Sequence, residues 1–344
     1  MTAILELRNA TKIYTRGFLH RKATVALDGS YLSVGDDTPT ITAIAGESGS
    51  GKTTMGMLLL GFLEPTSGEI FYRGQNLAKA PKEELRRYRQ EVQAIFQDPF
   101  EAYNPFYKVD HLLTVPINKF GLAKTQAEKR ERIEQALLDV GLRPDETLGR
   151  YPHQLSGGQR QRITVARALI LKPKVIIADE PVSMVDASLR SSILEALRNL
   201  NRGFGISILY ITHDLATAYH ICDNILVLYQ GGVAEAGDVD SIILDPKHPY
   251  SQLLVGSIPW PDPRRRWGSE AIIARGDMAG QTTDGCRFAP RCRHAMDICR
   301  KSRPPLFLTN ATHATSCFLY RESPVLAPED INTVLNLAST PHKA

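Results

Sequence analysis

The strongest constraint on this chain is an eight-residue stretch, GESGSGKT at Gly46–Thr53, set between a β-rich run at Ile41–Ala45 and a helix-forming run at Thr54–Leu63. The spacing G-x-x-x-x-G-K-[ST] in a strand, loop, helix setting is that of a phosphate-binding loop. Glycines let the backbone approach phosphate oxygens. Successive N–H groups and a helix N-terminus then present positive potential to them. Gly46, Glu47, Ser48, Gly49, Ser50, Gly51, Lys52, Thr53 and Thr54 are therefore candidate nucleotide-binding residues. Lys52 is expected to reach the β- and γ-phosphates, and the Thr53 hydroxyl to ligate Mg²⁺.

A second constellation is KVIIADE, Lys174–Glu180. An aliphatic strand ending in Asp179 offers a carboxylate to the magnesium shell, and Glu180 is placed to orient or deprotonate an attacking water. A third is LSGGQRQR, Leu155–Arg162, where Ser156, Gly157, Gly158 and Gln159 precede a helical run. A hydroxyl and glycine N–H groups at a helix start make a second anion site. One nucleotide does not need two such sites, so the second is expected to serve a nucleotide on another molecule.

These segments lie in a chain of 344 residues with 43% hydrophobic and 23% charged residues, ordinary values for a globular protein with a core. Alternating strand and helix patterns over about 190 residues imply an α/β core with a mainly parallel sheet. The early runs Ile4–Leu7, Thr24–Leu27 and Tyr31–Val34 are β-rich, and GDDTP at 35–39 suggests a hairpin before Ile41. QAEKRERIEQALLDVGL at 126–142 places Ile133, Leu137, Leu138 and Leu142 near helical spacing on one face. Cys222 falls within a helical run and is expected in the core. A formal net charge of +4 gives no case for a nucleic-acid partner. No run approaches the roughly 20 apolar residues of a membrane span, and the start of the sequence lacks the pattern of a signal peptide. A location in the cytoplasm is expected.

The order and spacing of these motifs resemble the ATP-binding cassette of ABC transporters over residues 4–255. The resemblance implies a P-loop ATPase with a RecA-like core, an antiparallel β subdomain and an α-helical subdomain at about 98–165. Gln97, in AIFQDP, matches the glutamine loop and would contact Mg²⁺ together with Thr53 and Asp179. Tyr14 matches the aromatic that stacks on adenine. Ser156–Gln159 match the signature that contacts ATP in trans, and Asp186 matches the end of the D-loop, here SMVD. Glu180 and His213, in YITHD, match the catalytic glutamate and the switch histidine. Hydrolysis at a head-to-tail dimer follows from the resemblance, with a second ATPase (paralogue or self) and two membrane-spanning permease subunits as partners. An extracytoplasmic solute-binding protein joins through the complex. A nucleic-acid ABC ATPase is the alternative. The gap between phosphate loop and signature, from Thr53 to Ser156, leaves no room for its usual coiled-coil insertion.

Beyond a proline-rich linker at 256–268, residues 269–322 form a small cysteine-bearing module and 323–344 a tail. Cys286, Cys292, Cys299 and Cys317 follow C-x5-C-x6-C-x17-C. Four thiolates suit a tetrahedral ion or an iron–sulfur cube. The lack of a C-x2-4-C pair counts against zinc, which stays the alternative. CRFAPRCRHAMDIC and HPYSQLL (248–254) resemble the C-terminal extension of oligopeptide and dipeptide importer ATPases. That resemblance implies a [4Fe–4S] cluster on the four cysteines. It leaves the cargo open among peptides, oligosaccharides, opines and nickel complexes.

Overall fold

The computed structural model describes residues 3–16, 22–98, 102–258 and 284–335. They fall into two compact units, residues 1–78 with 211–344, and residues 79–210. The expected linker lies outside the described residues from 259 onward.

The first unit begins with two long antiparallel strands, β1 (Ala3–Arg16) and β2 (Lys22–Gly35). β3 (Ile41–Ala45), α1 (Lys52–Leu59), β4 (Ser67–Tyr72) and β5 (Gln75–Asn76) follow. β1 also pairs with β4, which makes a four-stranded antiparallel sheet in the order β2-β1-β4-β5. Its aliphatics Leu5, Leu7, Leu27 and Leu32 are buried. β2 and β3 belong to different sheets, so GDDTP is a crossing between sheets and not the expected hairpin. The pattern of β3 explains this: all five of its residues are buried, as suits an inner strand and not one side of an exposed ribbon.

The second unit contains α2 (Lys82–Glu91), β6 (Val92–Ile95), α3 (Val109–Phe120), α4 (Gln126–Asp139), α5 (Pro144–Thr147), α6 (Gly157–Leu169), β7 (Val175–Asp179), α7 (Ala187–Phe204) and β8 (Ser207–Thr212). The last two residues of β8, Ile211 and Thr212, fall in the first unit. β8, β7 and β6 lie side by side, with β6 and β7 parallel. α3 and α4 pack on each other and on α6 through Leu113, Ile117, Ile133, Leu137 and Ile163. A capping box between Thr125 and Glu128 starts α4. Leu138, expected on its buried face, is 54% exposed. It lies about 100° around the helix from Leu137, and Ala136 and Val140 are buried instead.

The chain returns to the first unit with α8 (Leu215–Ile221), β9 (Asn224–Tyr229), β10 (Gly232–Asp238), α9 (Val239–Leu244), α10 (Pro249–Gly256), α11 (Asp297–Lys301), β11 (Leu306–Asn310), β12 (His313–Thr315) and β13 (Val325–Leu326). Cys222 is buried, as expected of a core residue. Strand order in this unit is β13-β11-β12-β10-β9-β3. β3 and β9 are parallel, but every pairing outward from β9 is antiparallel. The sheet is thus mixed and not mainly parallel. A two-residue turn at Gln230 (φ 46°) and Gly231 (φ 81°) is the cause. Two left-handed residues form the tight hairpin that sends β10 back along β9.

The cysteine-bearing segment is joined to the core: β12 pairs with β10 and so extends the same sheet. A buried carboxylate holds this junction. Glu235, on β10, is fully buried and pairs with the His313 ring from β12. Its two oxygens also accept the Lys247 and His248 amides ahead of α10. A buried carboxylate left unpaired is costly, so the cluster ties β10, β12 and α10 together. The expected tail is also packed for part of its length. Ile331, Val334 and Leu335 are buried, and Asn332 Oδ1 accepts the Ser33 amide at 2.8 Å. The burial of Ile331, Val334 and Leu335 is enough to order it.

Candidate functional site

In the first unit, β3 leads through Gly46–Gly51 into α1. Gly46 takes φ 148°, and a Cβ there would lie 2.3 Å from the Leu228 carbonyl oxygen. Gly51 takes φ 108°, with a Cβ position 2.4 Å from the Ala26 carbonyl oxygen. Both positions admit only glycine, in conformation and in space. Lys52 is largely buried, and its Nζ donates to the Gly46 and Glu47 carbonyl oxygens at 2.7 and 2.9 Å. The lysine thus arches over the loop at the N-terminus of α1, with Thr53 and Thr54 in the first turn. Ser50 is buried, and its amide donates to Glu47 O at 3.1 Å, which closes the turn. Ser48 and Gly49 are exposed on the loop.

The same unit holds His213 and Tyr14. His213 is exposed and immediately follows β8. Asp214 caps α8 by accepting the Ala216 amide at 2.9 Å. Tyr14 is 40% exposed on β1, with Lys12 Nζ 5.6 Å from its ring centroid.

The second unit holds Gln97, Ser156–Gln159, Asp179, Glu180 and Asp186. Asp179 ends β7 after four buried residues. Glu180 adopts φ 44°, a left-handed conformation rare for a residue with a side chain. Its carbonyl accepts both the amide and the hydroxyl of Ser183, at 3.2 and 2.9 Å, which locks the turn. Asp186 stands at the N-cap of α7, yet its side chain makes no capping bond there. Ser156 and Gln159 cap α6 reciprocally. The Gln159 amide donates to Ser156 Oγ at 3.2 Å, and the Ser156 amide to Gln159 Oε1 at 3.0 Å. The amides of Gly157 and Gly158 sit in the first turn, where a helix provides no acceptor of its own. A Cβ on Gly158 would meet Leu189 at 2.9 Å. Gln97 is exposed just past β6, and Gln161 on α6 donates to the carbonyl of the preceding Phe96 at 3.2 Å.

All four C-terminal cysteines line one cavity, which Phe288, Met296 and Phe318 seal. The Cys286 amide donates to the Cys299 carbonyl at 2.8 Å, so the first and third cysteines lie on adjoining segments. Sulfurs accept backbone amides: His294 N to Cys292 Sγ at 3.4 Å and Met296 N to Cys299 Sγ at 3.5 Å. Burial raises the thiols of Cys286 and Cys292 and pushes Cys317 up to about 12. The surrounding core is thin, with Ala289, Cys299, Phe307 and Phe318 at its centre. Among the described residues, no group of three His, Cys, Asp or Glu side chains is arranged to grip a single ion.

Several contacts here were invisible to motif reading. His248 in HPYSQLL accepts the Tyr250 amide through Nδ1 at 3.0 Å, capping α10. Burial pushes its imidazole down to about 4. The Tyr250 hydroxyl accepts the Glu47 amide of the phosphate loop at 2.7 Å. Arg291 makes a two-pronged ion pair with the Glu47 carboxylate. The signals for these were the HPYSQLL segment itself and the recurrence of arginine between Cys286 and Cys292, in CRFAPRC, neither of which names the phosphate loop as the partner.

Residues 32–183 match the ABC transporter family, and residues 234–299 match the oligopeptide/dipeptide transporter C-terminal region. A putative peptide import ATP-binding protein of Brucella ovis is 42% identical over 279 residues, covering 80% of this chain and 87% of that protein. The oligopeptide transport ATP-binding protein AppF of Bacillus subtilis is 37% identical over 324 residues, covering 92% and 97%. The dimeric ATP-binding cassette MJ0796, in a post-hydrolysis state with ADP and Pi, is 29% identical with a TM-score of 0.60, covering 68% of this chain and 98% of that one. CbiO1 from Clostridium perfringens, part of an ABC transporter complex, is 26% identical at the same TM-score of 0.60, covering 71% and 92%.

Proposed function

The chain belongs to the ATP-binding subunits of ABC transporters, with the C-terminal region of the oligopeptide/dipeptide type, and we propose that it hydrolyses ATP to drive peptide uptake through separate membrane subunits. The observation that carries this is the phosphate loop, where two glycine-only positions and the arched Lys52 form a cradle at the start of α1. Lys52 and the loop amides bind the triphosphate, while Thr53, Gln97 and Asp179 are the residues that would hold Mg²⁺. Glu180 takes the proton of the attacking water and His213 contacts the γ-phosphate. Tyr14 stacks on adenine. The Gly157 and Gly158 amides, with Ser156, Gln159 and Asp186, face the nucleotide of a second cassette. Their support is the reciprocal cap on α6, which uses the serine and glutamine on each other and leaves the first-turn Gly157 and Gly158 amides with no carbonyl of their own helix to donate to.

Among the described residues, no helix is long and apolar enough to cross a membrane. Two permease subunits and, through them, an extracytoplasmic binding protein complete the transporter at the cytoplasmic face of the inner membrane. Phe106 at 86% and Tyr107 at 52% exposure, nine and ten residues past Gln97, offer an apolar surface for that docking.

Cys286, Cys292, Cys299 and Cys317 would hold one [4Fe–4S] cluster. The fit is chemical: four thiols converge on one cavity with backbone amides donating to sulfur. Bound there, the group supplies four metal–thiolate bonds to a segment with a thin core. Zinc would need sulfurs within about 3.8 Å of one another, given Zn–S bonds of about 2.3 Å.

Reconstitution with its permeases and binding protein tests the function. ATPase activity should rise with peptide-loaded binding protein, not respond to double-stranded DNA, and vanish in Lys52→Ala. Stimulation by DNA alone would favour the nucleic-acid class. Chemical analysis of anaerobically purified protein should find about four irons per chain; stoichiometric zinc in colourless protein would replace the cluster.

A further inference from the structure

The loop between Cys286 and Cys292 reaches the phosphate loop by two routes within the first unit. Along the first, Arg291 Nη1 and Nη2 each lie 2.9 Å from a different oxygen of Glu47. The guanidinium is seated over Tyr229 and Phe288, 5.7 and 5.5 Å from their ring centroids. Tyr229, Tyr250 and Phe288 pack on one another at 4.5 to 5.7 Å, making a stiff aromatic support. From the same support the Tyr250 hydroxyl takes the Glu47 amide. Glu47 is therefore held at both its backbone and its side chain. Along the second route, Arg287 pairs with Asp28 and donates to the Gln230 carbonyl at 2.6 Å. The Asp28 amide donates to Gly231 O at 2.9 Å, and the Gly231 amide to Ser50 O at 2.8 Å. The loop is thus fixed at its second and fifth residues.

We propose that Arg291 and Tyr250 are positioning residues for ATP binding: they fix the phosphate loop through Glu47, and Arg291 neutralises a carboxylate that would otherwise repel the triphosphate. Glu47 is the second residue of the loop, and a carboxylate there opposes the field that the amides and Lys52 create. A planar guanidinium with two parallel bonds is the side chain that best cancels it while fixing its direction. The proposal rests on the reading that residues 46–53 hold the phosphates of ATP.

The test is equilibrium ATP binding to the full-length chain, with thermal stability measured alongside. Arg291→Ala should weaken ATP binding about fivefold, the scale of a partly exposed charge pair. Replacing Glu47 by Gln in that background removes the stranded charge and should restore affinity to within about twofold of wild type. Arg300→Ala, an exposed arginine of the same segment, should change nothing. Tyr250→Phe removes one acceptor oxygen and should weaken binding without the Arg291 substitution. A purely structural brace would lower stability, and Glu47→Gln would not rescue affinity. Wild-type affinity in both Arg291→Ala and Tyr250→Phe overturns the proposal, as does a double variant as weak as Arg291→Ala. Unchanged binding in Lys52→Ala would instead remove the phosphate-loop reading itself.

Discussion

At the scale of single residues, Glu180 combines a proposed chemical task with a strained backbone. Its φ of 44° costs about 1–3 kcal/mol for a residue with a Cβ, and the two bonds from Ser183 keep it there. Glu180→Gln keeps the shape and removes the base, so hydrolysis in the assembled transporter should fall at least about 100-fold while ATP-bound dimers accumulate. A wild-type rate would end the general-base assignment. Glu180→Gly should be equally inactive but melt no lower than wild type, because glycine accepts the left-handed region freely. A lower melting temperature would show that side-chain contacts outweigh the strain. Tyr14→Ala should weaken ATP affinity several-fold, with about 1 kcal/mol lost, and Tyr14→Trp should keep it; equal affinity in all three would take Tyr14 out of the adenine site. Roles for Lys52, Asp179 and Ser156 could be proposed from sequence because each sits in a short motif whose chemistry is local. The partners of Glu47 could not, since Arg291 is 244 residues away and ion-pair geometry leaves no periodic trace.

At the scale of elements, the turns explain what patterning missed. Alternation located β1, β2 and β3, but GDDTP cannot tell a hairpin from a crossing, because both need a polar, extended connector. The Gln230–Gly231 turn turned β10 antiparallel, and its first residue is not one that signals a left-handed position. The phosphate loop, by contrast, is glycine-specific. Gly46→Ala places a Cβ 2.3 Å from the Leu228 carbonyl, on a β9 strand paired on both sides. Nucleotide binding should be lost, and wild-type affinity would show that β9 yields. α10 introduces a dependence on acid. Burial holds His248 at about 4, below its unfolded value of 6.5, so the unfolded chain binds the extra proton first. Stability from the neutral ring is complete above about 6.5 and is lost as pH falls toward about 4. Melting temperature should drop through that window in the wild type and less steeply in His248→Asn, which caps the helix without titrating. Identical slopes would assign the acid sensitivity to other groups.

At the scale of the whole molecule, the motif order announced a cassette, but the place of the cysteine segment was not legible. Proline-rich sequence with few aliphatic runs reads as an appendage. Its strands join the core sheet through three-residue β12 and the buried Glu235–His313 pair, features too short or too distant for a pattern to register. The expected tail is similar, since isolated apolar residues such as Ile331 and Val334 count only once β2 is beside them. Ending the chain at Glu322 removes the buried Ile331, Val334 and Leu335 and uncovers the surface they pack on, a loss of about 5 kcal/mol at most, and leaves the Ser33 amide without Asn332. Such a chain should melt at lower temperature and be cut faster by protease; an unchanged melting point would mean the segment only rests on the surface. A ribosome adding about 5–20 residues per second finishes Glu47 about 12–50 s before Arg291, given the 244 residues between them. Until then the nascent phosphate loop carries its carboxylate bare. A chain that has not yet reached Arg291 should therefore bind ATP more weakly than the finished one, by about the fivefold expected of Arg291→Ala. Stalled chains of increasing length should show a step in ATP affinity as residue 291 clears the exit tunnel, and a smooth rise would contradict it.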